Sequence, residues 1–129
     1  MHPVSSVSAA AARYRNVQVS TANPAQIVVM LYDGVARFTG EAAEAMGRRD
    51  RARAGERIGR ALAIVEELAA TVDPSHAPEL ADNLLAVYGF CCRRLVEANL
   101  QQSAEALAEV VQAIAPLREA WAEVASRHK

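Results

Sequence analysis

The sequence has few of the residues that break helices or form covalent cross-links. Among 129 residues there are six glycines, five prolines and two cysteines, and aromatic residues make up 5%. Scarce helix breakers and abundant alanine favour helices over sheets, because alanine loses no side-chain entropy in a helix. Cys91 and Cys92 are sequence neighbours, which cannot easily adopt ordinary disulfide geometry. They argue against a disulfide framework and are compatible with a reducing compartment.

Long hydrophobic runs are also absent. The longest strongly apolar run, 27–32, is far too short to cross a bilayer. The alanines that precede Arg13 and Arg15 lack the order of charge and apolar residues found in a secretory signal. We therefore expect a soluble, cytoplasmic protein without membrane insertion. Hydrophobic residues still make up 52% of the chain, and its length suits one domain with a modest core.

The sequence has no pattern typical of an enzyme, a cofactor site or a metal centre. There is no Glu-x-x-His pair of the kind that holds di-iron sites in helical bundles, and no glycine-rich phosphate loop. Arginines follow Cys91 and Cys92, but no histidine base is recognisable, so packing explains these thiols better than catalysis. We expect no enzymatic activity, no cofactor and no metal.

Four segments repeat apolar residues at steps of three and four, which predicts four amphipathic helices. The first begins at Asn23, a capping residue followed by Pro24 at the first helical position and by Gln26 where it completes a capping box. The predicted breaks, 47–50, 73–78 and 100–103, are short and make successive helices antiparallel. In the last helix we expect a kink at Pro116. The third apolar stripe is predicted to comprise Leu80, Leu84, Val87, Cys91, Leu95 and Ala98.

The predicted fold is an all-α, up-down-up-down four-helix bundle over residues 23–129. A flexible N-terminal arm over residues 1–22 precedes it, because that segment is rich in serine and alanine and has no sustained period.

The first and third helices carry more apolar residues than a bundle core needs. The additional residues are Val28, Val29, Met30 and Tyr32 in the first, and Leu85, Tyr88, Phe90 and Cys92 in the third. An exposed apolar patch usually marks a partner site, and a groove of this kind suits an amphipathic helix. The pattern leaves two interpretations open: an irregular bundle or dimer that covers this surface itself, or a surface for another protein.

Arginines cluster in the segment 48–60. They are Arg48, Arg49, Arg51, Arg53, Arg57 and Arg60, of which the last three share a helical face. A solvated face and a site for an acidic protein partner are both left open. Nucleic acid is the least favoured interpretation, because the net charge is −1 and no aromatic residues are interleaved with the arginines.

Three blocks of the sequence resemble the FliS-type family of flagellar secretion chaperones. The first covers 14–38, and its Met-Leu-Tyr-Asp-Gly run at 30–34 is the most specific part. The second covers 84–99 and ends in Arg-Arg-Leu-Val-Glu-Ala-Asn. The third is Leu-Arg-Glu-Ala-Trp at 117–121. Together the blocks extend over most of the chain in the family's order.

The resemblance implies a cytoplasmic, non-enzymatic helical chaperone. Such a protein binds the disordered C-terminal segment of flagellin, prevents premature polymerisation and keeps the subunit competent for export. The resemblance also implies that the N-terminal arm, around Tyr14 and Val17, covers part of the binding groove and yields to the client. Candidates to line or support this groove are Ile27, Leu31, Tyr88, Leu95, Leu117 and Trp121. For each of these six, simple core packing is an equal alternative.

Other partners stay open at this point. They are the flagellar export apparatus, another flagellar regulator and a second copy of the chain in a homodimer. The alternative function is a self-associating helical adaptor without a flagellin client.

Overall fold

The computed structural model describes residues 23–127, which form four α-helices. Helix α1 spans Pro24–Gly47, α2 spans Arg51–Ala70, α3 spans Pro78–Gln101 and α4 spans Ala104–Arg127. Each helix packs against the next along the chain, and α1 also packs against α4, so the four close into a ring around one core. The predicted all-α, four-helix bundle is confirmed.

Helix α1 begins with the capping box that the sequence predicts. The Asn23 side chain accepts a hydrogen bond from the backbone N–H of Gln26 at 2.9 Å, and the Gln26 side chain accepts one from the Asn23 N–H at 3.0 Å. Asn23 also donates from Nδ2 to the carbonyl oxygen of Ala125 at 3.3 Å. The residue that starts α1 is therefore also bound to the end of α4.

The helix breaks lie close to their predicted positions. The connection between α1 and α2 is 48–50, where Arg49 takes a left-handed conformation, and α3 ends before Gln102, which does the same. The middle connection, 71–77, begins two residues earlier than predicted. Helix α4 continues through Pro116, so no separate helix starts there.

One apolar stripe from each helix forms the core. Its largest fully buried side chains are Tyr32, Leu95, Leu107, Val35, Val65 and Val110. Alanines at 42, 54, 61, 98 and 106 are fully buried between them, where a small side chain lets helices approach closely.

The predicted phase of α3 was wrong at its start. Leu80 is 58% exposed, and Ala81 and Tyr88 are buried in its place, ahead of Cys91 and Leu95. Two neighbouring faces of this helix are apolar, and the face that is buried is the one that carries the Tyr88 ring. Tyr32, predicted to lie beside the first stripe, is likewise in the core.

Candidate partner-binding surface

Most of the predicted site residues lie toward one end of the bundle. Because successive helices alternate in direction, α1 and α3 begin at this end and α2 and α4 finish there; we call it the Pro24 end. Ile27 and Leu31 lie near the start of α1, and Leu117 and Trp121 lie in the second half of α4. Tyr88 lies near the middle of α3, where it contacts α1. Leu95 belongs to the opposite half of the bundle.

Burial divides these six residues into two groups. Ile27, Tyr88 and Leu95 are buried in the bundle interior. Leu31, Leu117 and Trp121 are half-buried and pack against the core while keeping part of their surface exposed. Only this second group is accessible without opening the bundle. The contribution of all six to partner binding stays a prediction, as does that of Tyr14 and Val17, which lie outside the described residues.

A buried pair of tyrosine hydroxyls lies in the core near Trp121. The hydroxyl oxygens of Tyr32 and Tyr88 are 2.5 Å apart. Burial, followed by the bond to Tyr88, holds the pKa of Tyr32 far above its usual value, and burial also raises the pKa of Tyr88. A smaller effect of the Trp121 indole N–H, which can only donate, lowers the pKa of the Tyr32 hydroxyl. Both phenols therefore stay neutral at physiological pH, and their hydrogen bond links α1 to α3 within the core.

Two ion pairs connect helix α4 to its neighbours. Arg118 donates from Nε to the Asp33 carboxylate of α1 at 2.9 Å. Arg94 of α3 donates to Glu109 of α4 at 2.7 Å, and this bond lowers the pKa of the Glu109 carboxyl. The relative positions of three helices are thus fixed by polar contacts as well as by the core.

An apolar stripe runs along the outside of α3, with the Arg93 guanidinium lying next to Gly89 near its middle. It comprises Leu85, Gly89, Cys92, Val96 and Leu100, whose steps of four, three, four and four place them on one helical face. We call these five residues the α3 stripe. Leu85 is 42% exposed, Val96 47% and Leu100 76%. Because a helix rises about 1.5 Å per residue, the stripe is about 22 Å long. An exposed apolar strip of this length, unlike single scattered apolar side chains, is typical of a partner site.

Small residues of α2 border this stripe. A Cβ atom added at Gly55 would lie 3.5 Å from Oδ1 of Asn99, so Gly55 faces α3 closely. Gly59, one turn further along α2, has open space beside it, because an added Cβ would meet nothing within 4 Å. Gly55 therefore lets α2 approach α3 closely, and Gly59 adds no side chain to the exposed surface of α2.

Only part of this stripe was predicted from the sequence. Leu85 and Cys92 were among the additional apolar residues of the third helix, whereas Val96 and Leu100 were not identified. Their signal was present in the sequence, since they continue the spacing of Leu85 and Cys92 on a face that the core stripe does not use.

The two thiols differ in burial. Cys91 is buried in the core and Cys92 is half-buried in the α3 stripe. Burial, with a smaller contribution from Cys92, raises the pKa of Cys91 to about 11. Burial also raises the pKa of Cys92. At neutral pH both are thiols, which suits packing.

Two kinds of feature are absent from residues 23–127. No three histidine, cysteine, aspartate or glutamate side chains there come together as a metal site requires. Nor does that part of the chain contain a helix with the length and apolar character needed to span a membrane.

Comparison with known proteins identifies a family that covers all four helices. The sequence model described as flagellar protein FliS matches residues 7–128. The flagellar secretion chaperone FliS of Bacillus subtilis is 35% identical over 108 residues, which cover 84% of this chain and 80% of that protein. The FliS chaperone of Salmonella typhimurium is 30% identical over 128 residues, covering 98% and 95%. That of Escherichia coli is 33% identical over 106 residues, covering 81% and 78%.

Proposed function

This chain belongs to the FliS family of flagellar secretion chaperones, and from that premise we propose that its client is the C-terminal segment of flagellin. In the cytoplasm, binding would cover that segment before assembly, prevent premature polymerisation and keep the subunit competent for export. The mechanism is sequestration and includes no reaction step. The observation that carries the proposal is the α3 stripe, an apolar surface that the four helices of this FliS-family chain leave exposed.

The α3 stripe suits a client that is disordered when free. An amphipathic segment can place apolar residues three and four positions apart along Leu85, Val96 and Leu100 and leave its polar face in water. Burial of apolar surface is worth about 25 cal/mol per Å², but ordering the client opposes it. The net affinity therefore depends on how much of the stripe the client covers at once.

The six predicted residues would contribute in two ways. Leu31, Leu117 and Trp121 expose apolar surface that a client could contact at the Pro24 end. Ile27, Tyr88 and Leu95 would act from beneath, by holding α1 and α3 in place. In this proposal the bound client extends from the α3 stripe toward the Pro24 end.

The N-terminal arm, residues 1–22, would compete with the client for this surface through Tyr14 and Val17. Removing residues 1–22 should then tighten client binding, because no arm has to be displaced. Titration calorimetry with the full chain and the shortened chain measures this difference. Unchanged affinity would contradict the displacement.

The decisive experiment is co-purification with flagellin from the same organism, either intact or lacking about its last 40 residues, a length that can wrap a small domain at about 3.3 Å per residue. We expect recovery of the intact form only. Equal recovery of both forms would refute the C-terminal client. The self-associating adaptor is the competing outcome. It would be favoured if the chain forms a stable homodimer that excludes flagellin, and if substituting serine for Val96 and Leu100 dissociates that homodimer.

A further inference from the structure

A cluster of positive charge surrounds one aromatic ring on the surface shared by α1 and α2. The guanidinium carbon of Arg37 lies 4.7 Å from the centre of the Phe38 ring, and those of Arg57 and Arg60 lie 5.9 Å from it. All three are within the range of a cation–π interaction. Arg53 lies on the same face of α2, one turn before Arg57. We call these five residues the Phe38 cluster.

Nearby carboxylates neutralise only part of this cluster. Arg57 lies 3.5 Å from Glu41 and 3.2 Å from Glu56. Arg60 bonds to Glu56 at 2.5 Å. Within the described part of the chain, no ion pair forms at the side chains of Arg37 and Arg53, although the charge of Arg53, after those of Arg60 and Arg57, helps to lower the pKa of the Glu56 carboxyl. Four arginines against two glutamates leave two uncompensated positive charges.

The part of the chain that follows this cluster carries the opposite charge. Residues 37–60 contain seven arginines and four carboxylates, an excess of three positive charges. Residues 61–127 contain four arginines and ten carboxylates, an excess of six negative charges. The near-neutral whole chain therefore conceals a basic segment at the turn end of the α1–α2 hairpin, residues 37–60, and an acidic half of the chain over residues 61–127.

This distribution favours a short acidic ligand over a long polyanion. Charges are screened over about 8 Å at physiological ionic strength, whereas a 24-residue helix is about 36 Å long. A short segment on the Phe38 cluster would therefore experience mainly its positive charge. A nucleic acid that continues past the cluster would meet the acidic half and be repelled.

We propose that the Phe38 cluster is a second binding surface, which takes a short acidic segment of a protein partner. Arg53 and Arg60 are two helical turns apart, about 10 Å, so two carboxylates seven positions apart in a helix would match them. Arginine held over a ring keeps planar N–H edges that suit carboxylates. Gly55 faces α3, whereas Arg57 faces α1. The cluster and the α3 stripe thus lie on different sides of α2, and both can be occupied together.

The test uses the full chain and a fluorescent peptide of about ten glutamates, which spans the cluster in an extended or helical form. A glutamine peptide of equal length and a thymidine oligonucleotide of equal charge are the comparison ligands. Fluorescence anisotropy at low and at physiological ionic strength measures binding. One variant combines Arg37→Gln with Arg53→Gln. Its matched control combines Arg93→Gln with Arg127→Gln, which removes the same charge from exposed positions elsewhere.

We expect the glutamate peptide to bind more tightly than the glutamine peptide or the oligonucleotide. The Arg37/Arg53 variant should bind it roughly five- to tenfold more weakly, and the control variant should change less than about twofold. Absent binding, equal loss in both variants, or preference for the oligonucleotide would each overturn the proposal. Loss of flagellin-tail binding in the Arg37/Arg53 variant would also overturn it, because the cluster would then belong to the client site.

Discussion

Serine at Leu85, Val96 and Leu100 should abolish most client binding without unfolding the chaperone. Complete burial of one such side chain is worth about 1.5–3 kcal/mol. Exposed fractions of 42%, 47% and 76% leave the equivalent of about one and two-thirds side chains for a client to bury, or roughly 2.5–5 kcal/mol. If the client covers half of that surface, the loss still corresponds to roughly ten- to seventyfold weaker binding.

Titration calorimetry with the isolated flagellin C-terminal segment measures this loss, and urea unfolding checks that the variant is folded. Leu80→Ser is the matched control, because Leu80 is on the same helix and is 58% exposed. It lies about 160° around the helix from the middle of the α3 stripe. Affinity equal to the wild type in the triple-serine variant would refute the reasoning. An equal loss in Leu80→Ser would move the client to the α4 side of α3.

Four further predictions concern the core and the first cap. Tyr88→Phe should lower the free energy of unfolding by about 1–3 kcal/mol, because the buried Tyr32 hydroxyl loses its partner. Adding Tyr32→Phe should lower it by less than Tyr32→Phe does alone, because no unpaired hydroxyl is then left buried. Urea unfolding in which the two effects simply add would contradict this coupling between the hydroxyls. Burial raises the pKa of both tyrosines, so as the pH rises they ionise in the unfolded chain before they ionise in the folded one. The stability that this pair contributes should therefore be constant below about pH 10 and fall above it. The variant with phenylalanine at both positions should not show this fall. At pH 8 a thiol reagent should label Cys92 well before Cys91, as mass spectrometry can show, and two rapidly labelled thiols in the native chain would disprove the burial effect. Asn23→Ala should cost about 1 kcal/mol in thermal or urea unfolding, and Asn23→Ser, which keeps a capping acceptor without placing a carboxylate against the Ala125 carbonyl oxygen, should cost less.

The sequence was sufficient where short-range chemistry decides the structure. Asn23 followed by Pro24 and Gln26 predicts the start of α1, since a capping box depends on three neighbouring residues and not on the rest of the fold. The connections 48–50 and 102–103 were predictable for the same reason.

The orientation of α3 could not be predicted in the same way. Leu80 and Ala81 begin two overlapping apolar phases, and the choice between them depends on what α1 and α4 place opposite. The face that contains Ala81 and Tyr88 is the buried one, because the Tyr88 hydroxyl hydrogen-bonds to that of Tyr32 inside the core. That contact joins residues 56 positions apart in sequence and is invisible to a periodicity argument.

The same uncertainty limited the prediction of the binding surface. Spacing identifies which residues are apolar and share a face, but not which face the bundle leaves uncovered. Tyr88 and Leu95 were predicted as candidates and are buried, whereas Val96 and Leu100 were not singled out and are exposed. The buried and the exposed residues can be told apart by position on the helix, because the exposed ones form a second apolar stripe on a face next to the one that enters the core.

The polar contacts between helices indicate how much ordering the chaperone itself undergoes when a client binds. Arg57 with Glu41 joins α1 to α2, Arg118 with Asp33 joins α4 to α1, and the α3–α4 side has its own pair. These pairs, together with the buried tyrosine contact, hold α3 at a fixed position, so the α3 stripe is present before a client arrives. A preformed surface costs little ordering on the chaperone side, and the main entropic cost falls on the disordered client. Shortening or stiffening the client should therefore change affinity more than substitutions that tighten the bundle.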